Sequence, residues 1–133
     1  MAHIAKNQKF IFCALAFAFI SAHSATYKCE PEFQTVFGKH VENNDFIKSF
    51  KPYTLVQDDR DASIQRCSRS FTENKHNCEN YKIDRIENDS NVLVKKYYIF
   101  KAQYDIQIFK ELSYIDNNGR GGMLYGKCKL VSP

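Results

Sequence analysis

Tyr104-Asp105-Ile106-Gln107-Ile108 alternates apolar and polar side chains without a break, and this alternation decides the reading of the fold. Successive side chains of a strand point to opposite faces. Tyr104, Ile106 and Ile108 therefore share one face and Asp105 and Gln107 the other, the signature of a half-buried antiparallel strand. The pattern predicts a strand over Tyr104–Ile115, and similar runs predict strands at Tyr81–Ile86, Val92–Phe100 and Met123–Val131. Asp116-Asn117-Asn118-Gly119-Arg120-Gly121-Gly122 supplies the Asn and Gly residues that tolerate positive φ, and reads as the turn between the last two strands. Glu87–Asn91 reads as a second turn and holds Asn88-Asp89-Ser90, an acceptor sequence for N-glycosylation as well as an ordinary polar turn.

Upstream, Thr26–Phe37 places Phe33, Thr35 and Phe37 on one face of a strand or hairpin that Gly38 breaks. Asn43 or Asn44 can cap a helix that has Asp45 in its first turn. Phe46, Ile47 and Phe50 share one face of that helix, and Pro52 stops it. Gln57–Asn80 is polar and charged and reads as a long surface excursion. The predicted fold class is α+β: one short α-helix packed on an antiparallel sheet of four to five strands.

The first 25 residues are of a different kind. Met1–Ala25 carries Lys6 and Lys9 with no acid, an eleven-residue apolar run from Phe10 to Ile20, and the small polar stretch Ser21–Ala25. A membrane-spanning helix needs about 20 apolar residues, so the segment reads as a removable secretory signal peptide and not as an anchor. Residues 26–133 then form a single domain of 108 residues, too few for two cores. The mature chain keeps 17 bases against 15 acids, a net +2 too mild to argue for nucleic acid by charge alone.

Cys13 leaves with the signal, and Cys29, Cys67, Cys78 and Cys128 enter an oxidising route. Four such cysteines in a short exported chain read as two disulfides, for which three connectivities exist. The reading favours Cys67–Cys78 as a local clip on the polar excursion and Cys29–Cys128 as a bridge between the ends. No metal site is expected, because no close Cys-x-x-Cys pair exists and only His40 and His76 remain as imidazoles; no cofactor is expected either. Lys95, Lys96, Tyr97 and Tyr98 put two cations beside two aromatics, a combination that can hold phosphate while a base stacks on a ring. The same run also suits tyrosines packed inward with solvated lysines. Arg120 in the glycine-rich turn can reach a phosphate or a partner carboxylate.

Tyr27-Lys28-Cys29 just after the cleavage site, one helix, four or five strands and Cys128 near the end together resemble the RNase-like secreted effectors of cereal powdery mildew fungi. That family has a Y/F/W-x-C motif at the mature N-terminus, here Tyr27 and Cys29, a matching C-terminal cysteine, and a fold similar to fungal guanyl-specific ribonucleases. The resemblance implies a virulence factor delivered into the host plant cell, where some members are recognised by plant immune receptors. Exposed surface such as Gln57–Asn80 or Asp116–Gly122 is where such recognition is expected.

RNA cleavage through a cyclic phosphate needs a base, an acid and a cation for the phosphorane. The strand that should bring the carboxylate reads Lys95–Phe100 with no acid; Tyr104–Ile108 offers no Arg; and Asp116-Asn117-Asn118 stands where the family implies a His. His40 with Glu42, or His76 with Glu73, is the remaining acid–base material. The expectation is a monomeric, catalytically inactive effector that binds host plant protein or RNA, with no catalytic residues. One rival is an active secreted ribonuclease or ribotoxin. The other is a small disulfide-stapled extracellular inhibitor or toxin, for which Cys29 joined to Cys67 or Cys78 would speak.

Overall fold

The computed structural model of the chain describes residues 24–70 and 72–132. The segment that reads as a signal peptide, Met1–Ala25, lies outside them except for Ser24 and Ala25. In chain order the elements are β1 (Ala25–Val36), β2 (Lys39–His40), α1 (Asp45–Phe50), β3 (Tyr53–Asp58), β4 (Ser63–Arg69), β5 (His76–Lys82), β6 (Arg85–Asp89), β7 (Val94–Ile99), β8 (Tyr104–Phe109), β9 (Ser113–Asn117) and β10 (Gly122–Ser132).

All ten strands belong to one antiparallel sheet, ordered β5-β4-β3-β1-β10-β9-β8-β7-β6, with β2 paired to β1. It is curled into a half-barrel. The α+β expectation is thus corrected: the described residues are mostly β, and the one helix among them has six residues, none of them buried. Nor is the sheet one of four to five strands, so the guanyl-specific ribonuclease-like architecture falls with that class.

Three local features explain the difference. Gln57–Asn80 is polar because it forms the flank and edge of the sheet, where only one face can be covered. Ile64 and Arg66 point inward from β4, and the edge strand β5 is largely exposed. The predicted strand Tyr104–Ile115 is two strands, divided by a tight reversal in which Leu112 N–H donates to Phe109 O at 2.9 Å and Leu112 takes φ 69°. A non-glycine residue in the left-handed region gives no compositional warning of a turn. Tyr81–Ile86 likewise splits at Ile83-Asp84, and the turn expected at Glu87–Asn91 is displaced because β6 runs to Asp89.

Curling brings the inner faces of distant strands together. Strands twist right-handedly, and the register of β1 against β10 shifts at Thr26/Tyr27 and at Pro31/Phe33, where such irregularities bend a sheet. Asp84 joins the ends: its N–H donates to Tyr98 O, and its carboxylate accepts from Phe100 N–H at 2.7 Å. The enclosed core is Cys29, Val56, Ile64, Ile83, Tyr97, Ile99, Tyr104, Ile106, Ile108, Tyr114 and Cys128, with Tyr27 packed against it. Three of these, Tyr104, Ile106 and Ile108, come from the run that the alternation assigned to one apolar face.

Two disulfides join residues directly opposite one another on neighbouring strands. Cys29 pairs with Cys128 across β1 and β10, and Cys67 with Cys78 across β4 and β5. The first spans 99 residues and sits in the core; the second spans 11 and clips the edge. In the chain-entropy picture their closures stabilise by about 4.7 and about 2.8 kcal/mol.

Candidate functional site

Alternation along β4 and β9 puts a charged side chain from each on the inner face. In β4 the inward pair is Ile64 and Arg66; in β9 it is Tyr114 and Asp116. Three strands separate β4 from β9 in the sheet, and the curl closes that gap. Asp116 is only 2% exposed. Its Oδ2 accepts from the Tyr104 hydroxyl at 2.9 Å. Its Oδ1 lies 3.8 Å from Arg66 Nη2, too far for a hydrogen bond, and among the described residues no donor reaches it.

The Arg66 guanidinium instead lies over the Tyr104 ring, 4.5 Å from its centroid, a cation–π placement. Burial pushes the Asp116 carboxyl above its ordinary pKa, and Arg66 and the Tyr104 hydrogen bond only partly oppose this. Desolvation works against the Arg66 charge, but Tyr104, Asp116, Tyr81 and Glu79 outweigh it and hold the guanidinium above its usual value. Tyr104 is raised well above the ordinary phenol by its burial and by Asp116.

Arg66 and Asp116, with Tyr114, form part of the wall of a 230 Å³ cavity on the inner face. Pro31, Pro52, Leu124 and Phe46 of α1 give it apolar walls; Thr54, Ser68, Asn77 and Glu79 give it neutral and acidic polar ones. A smaller hollow of 90 Å³ shares Phe46, Arg66, Asp116 and Leu124 and reaches Asn118. Gly126 is required here, since a Cβ would come within 2.1 Å of Glu30 O and 2.9 Å of the Tyr114 ring. The small residue lets that ring approach β10 closely.

The other end of the inner face repeats the three side-chain types. Asp58 of β3 accepts the Tyr97 hydroxyl at 2.9 Å on Oδ2, and Lys95 reaches the same oxygen. Burial, then Asp58, push the Tyr97 phenol far above its ordinary pKa. A 330 Å³ hollow adjoins this tie, lined by Tyr27, Lys95, Tyr97, Ile108 and Leu112 among others.

The residues singled out by sequence scatter accordingly. Lys95 and Tyr97 face inward, while Lys96 and Tyr98 face outward, because neighbours on a strand point oppositely. Tyr97 is fully buried, and Tyr98 donates to Glu87 at 3.0 Å. The four therefore do not form one stacking platform. Arg120 is exposed in the glycine-rich turn, with its charge felt by Tyr81 beside the Arg66 cavity. Asn88 is exposed on the edge strand β6. His40 packs against Phe33 and His76 against Tyr53, and neither lines the cavity. Glu42 is exposed and Glu73 pairs with Lys75. Among the described residues no three His, Cys, Asp or Glu side chains cluster as metal ligands would.

Arg66, Asp116, Tyr104 and Tyr114 were not candidates from sequence. Tyr114 and Asp116 do share the period-2 face of β9, and a carboxylate in that register is the signal that could have exposed the site. Reading Asp116 as the first residue of a turn concealed it. Comparisons of the chain with protein-family models, with curated proteins and with solved structures find no match.

Proposed function

We propose that the mature chain, from Thr26 onward, is a secreted effector-type protein that acts by binding a component of a host plant, without catalysis, and that the Arg66–Asp116 cavity is where it binds. The observation that carries the reading is Asp116 Oδ1: a buried acceptor beside a guanidinium, without a donor of its own, on the wall of a cavity. Buried polar atoms are nearly always partnered, so an unpartnered one facing a cavity marks a place for a ligand group.

Export rests on the character of Met1–Ala25 and on four cysteines that pair as two disulfides. The link to mildew effectors rests on Tyr27-x-Cys29 and Cys128 alone, now without the ribonuclease-like fold. Tyr27 packs on the core and Cys29 binds Cys128, which gives that motif a structural use. A host protein suits the site better than RNA, because Lys95 and Tyr97 are spent on Asp58 and the cavity is electrically mixed. A role as target of an intracellular plant immune receptor belongs to the same proposal.

The oxidised mature chain and its Arg66→Gln variant, immobilised side by side in plant extract, should retain different proteins, with specific partners lost from the variant. The same wild-type protein should leave total plant RNA uncut. Identical retained sets would remove the cavity from the reading, and RNA cleavage would replace it with the ribonuclease alternative.

A further inference from the structure

We infer that the Arg66–Asp116 cavity is a carbohydrate subsite that takes one neutral sugar residue, held by hydroxyls on adjacent carbons. This rests on the binding role proposed for the cavity and names the chemistry of its ligand.

Three charged side chains stand on the cavity wall; Glu79 accepts the Tyr81 hydroxyl, and Arg66 and Asp116 set the requirement. Asp116 Oδ1 needs a donor, the Arg66 guanidinium has donors to offer, and the two are 3.8 Å apart. A cation drawn to Oδ1 would meet the guanidinium at once, and an anion drawn to Arg66 would meet the carboxylate. An uncharged ligand escapes both repulsions, provided it presents a donor next to an acceptor. Two hydroxyls on neighbouring carbons do so, one donating to Oδ1 and the other accepting from Arg66, and each bond to a charged group is of the stronger kind.

A simple amide also carries a donor and an acceptor, but it has no further groups to offer. The wall supplies more: Thr54, Ser68 and Asn77 are neutral hydrogen-bonding side chains around the same space. A pyranose has additional hydroxyls for them. Its C–H faces suit the apolar side of the cavity, where Pro31, Phe46 and Leu124 stand. Polar and apolar groups share the wall, as a ligand that carries both hydroxyls and C–H faces requires.

The test is a titration of the 15N-labelled, oxidised mature chain with D-glucose, D-galactose, D-mannose and N-acetylglucosamine in the millimolar range, with acetamide as the neutral amide control. At least one sugar should shift the Arg66 and Leu124 signals saturably, and acetamide should not. Asp116→Asn and Arg66→Gln should each weaken that binding about tenfold or more. Asn77→Ala, at an exposed position on β5, gives a milder loss of a few-fold should a pocket variant fail to fold.

No saturable shift with any sugar, an equal response to acetamide, or sugar binding indifferent to all three variants would overturn the inference. Should sugars fail to bind while Arg66→Gln still loses its plant partners, the carbohydrate assignment falls and the binding role stands. Should sugars bind while partner retention ignores Arg66→Gln, the subsite stands and the proposed role of the cavity in partner recognition falls.

Discussion

At one end of the inner face Asp58 receives Tyr97 and Lys95 on the same oxygen; at the other, Asp116 receives Tyr104 on one oxygen and turns the second toward Arg66 across 3.8 Å. Both ends combine an aspartate, a tyrosine hydroxyl and a base, and in each the base comes from a strand that does not neighbour the aspartate's, so both tie the curl together. They differ in completeness. Asp58, 15% exposed, has its charge met by an ammonium in direct contact. Asp116, 2% exposed, keeps an acceptor that nothing among the described residues fills. A closed tie of this kind contributes to holding the sheet, whereas an open one gives up stability and leaves chemistry available to a ligand.

Removing the seam between the two ends should have the largest effect. Replacing Cys29 and Cys128 together by Ser should cost up to about 4.7 kcal/mol by loop entropy, and the same change at Cys67 and Cys78 about 2.8. Urea unfolding followed by amide exchange would read both. The core pair should loosen the two ends alike, and the edge clip should loosen only the Arg66 end; equal exchange patterns from the two variants would break the distinction.

Next in size, Asp58→Ala should lower stability by about 1–3 kcal/mol, because it orphans the buried Tyr97 hydroxyl, while the part-exposed Lys95 ammonium turns to water. Tyr97→Phe should cost about 1 kcal/mol, the net worth of one hydrogen bond. Asp116→Asn can keep an acceptor for Tyr104 while shedding a poorly paired buried charge, so its stability at neutral pH should stay within about 1 kcal/mol of the parent. A loss as large as that of Asp58→Ala would show that both ends are closed.

The smallest effect is in pH. The folded-state pKa of Asp116 is raised above the unfolded value. The folded protein therefore binds the proton more tightly, and the contribution to stability falls as pH rises through the folded pKa. Relative to Asp116→Asn, the parent should gain stability as pH drops through the window above the ordinary carboxylate value of 3.8. Parallel stability curves for the two proteins from neutral pH to 4 would contradict the raised pKa.

Much of the β structure was legible where period 2 was clean. Tyr104, Ile106 and Ile108 all enter the core from β8, and the favoured cysteine pairs are the ones formed. Legibility failed where the signal was diluted. Gln57–Asn80 looked like a loop because edge strands need few apolar residues, and the β8–β9 reversal was hidden because Leu112, not Gly or Asn, takes the positive φ. The α+β class followed from counting too few strands on both accounts, and its ribonuclease-like form followed from the resemblance.

The amino-acid sequence by itself determined which side of each clear strand is apolar, since that depends on local alternation, and it left three cysteine connectivities of which the tertiary structure decided one. Only the tertiary structure decided that Arg66 would meet Asp116, and Lys95 and Tyr97 would meet Asp58. Those contacts join strands separated in the sheet by three or more others, and they depend on the accumulated twist that curls it. A charge on a strand face carries no local mark of the charge it will face across the curl.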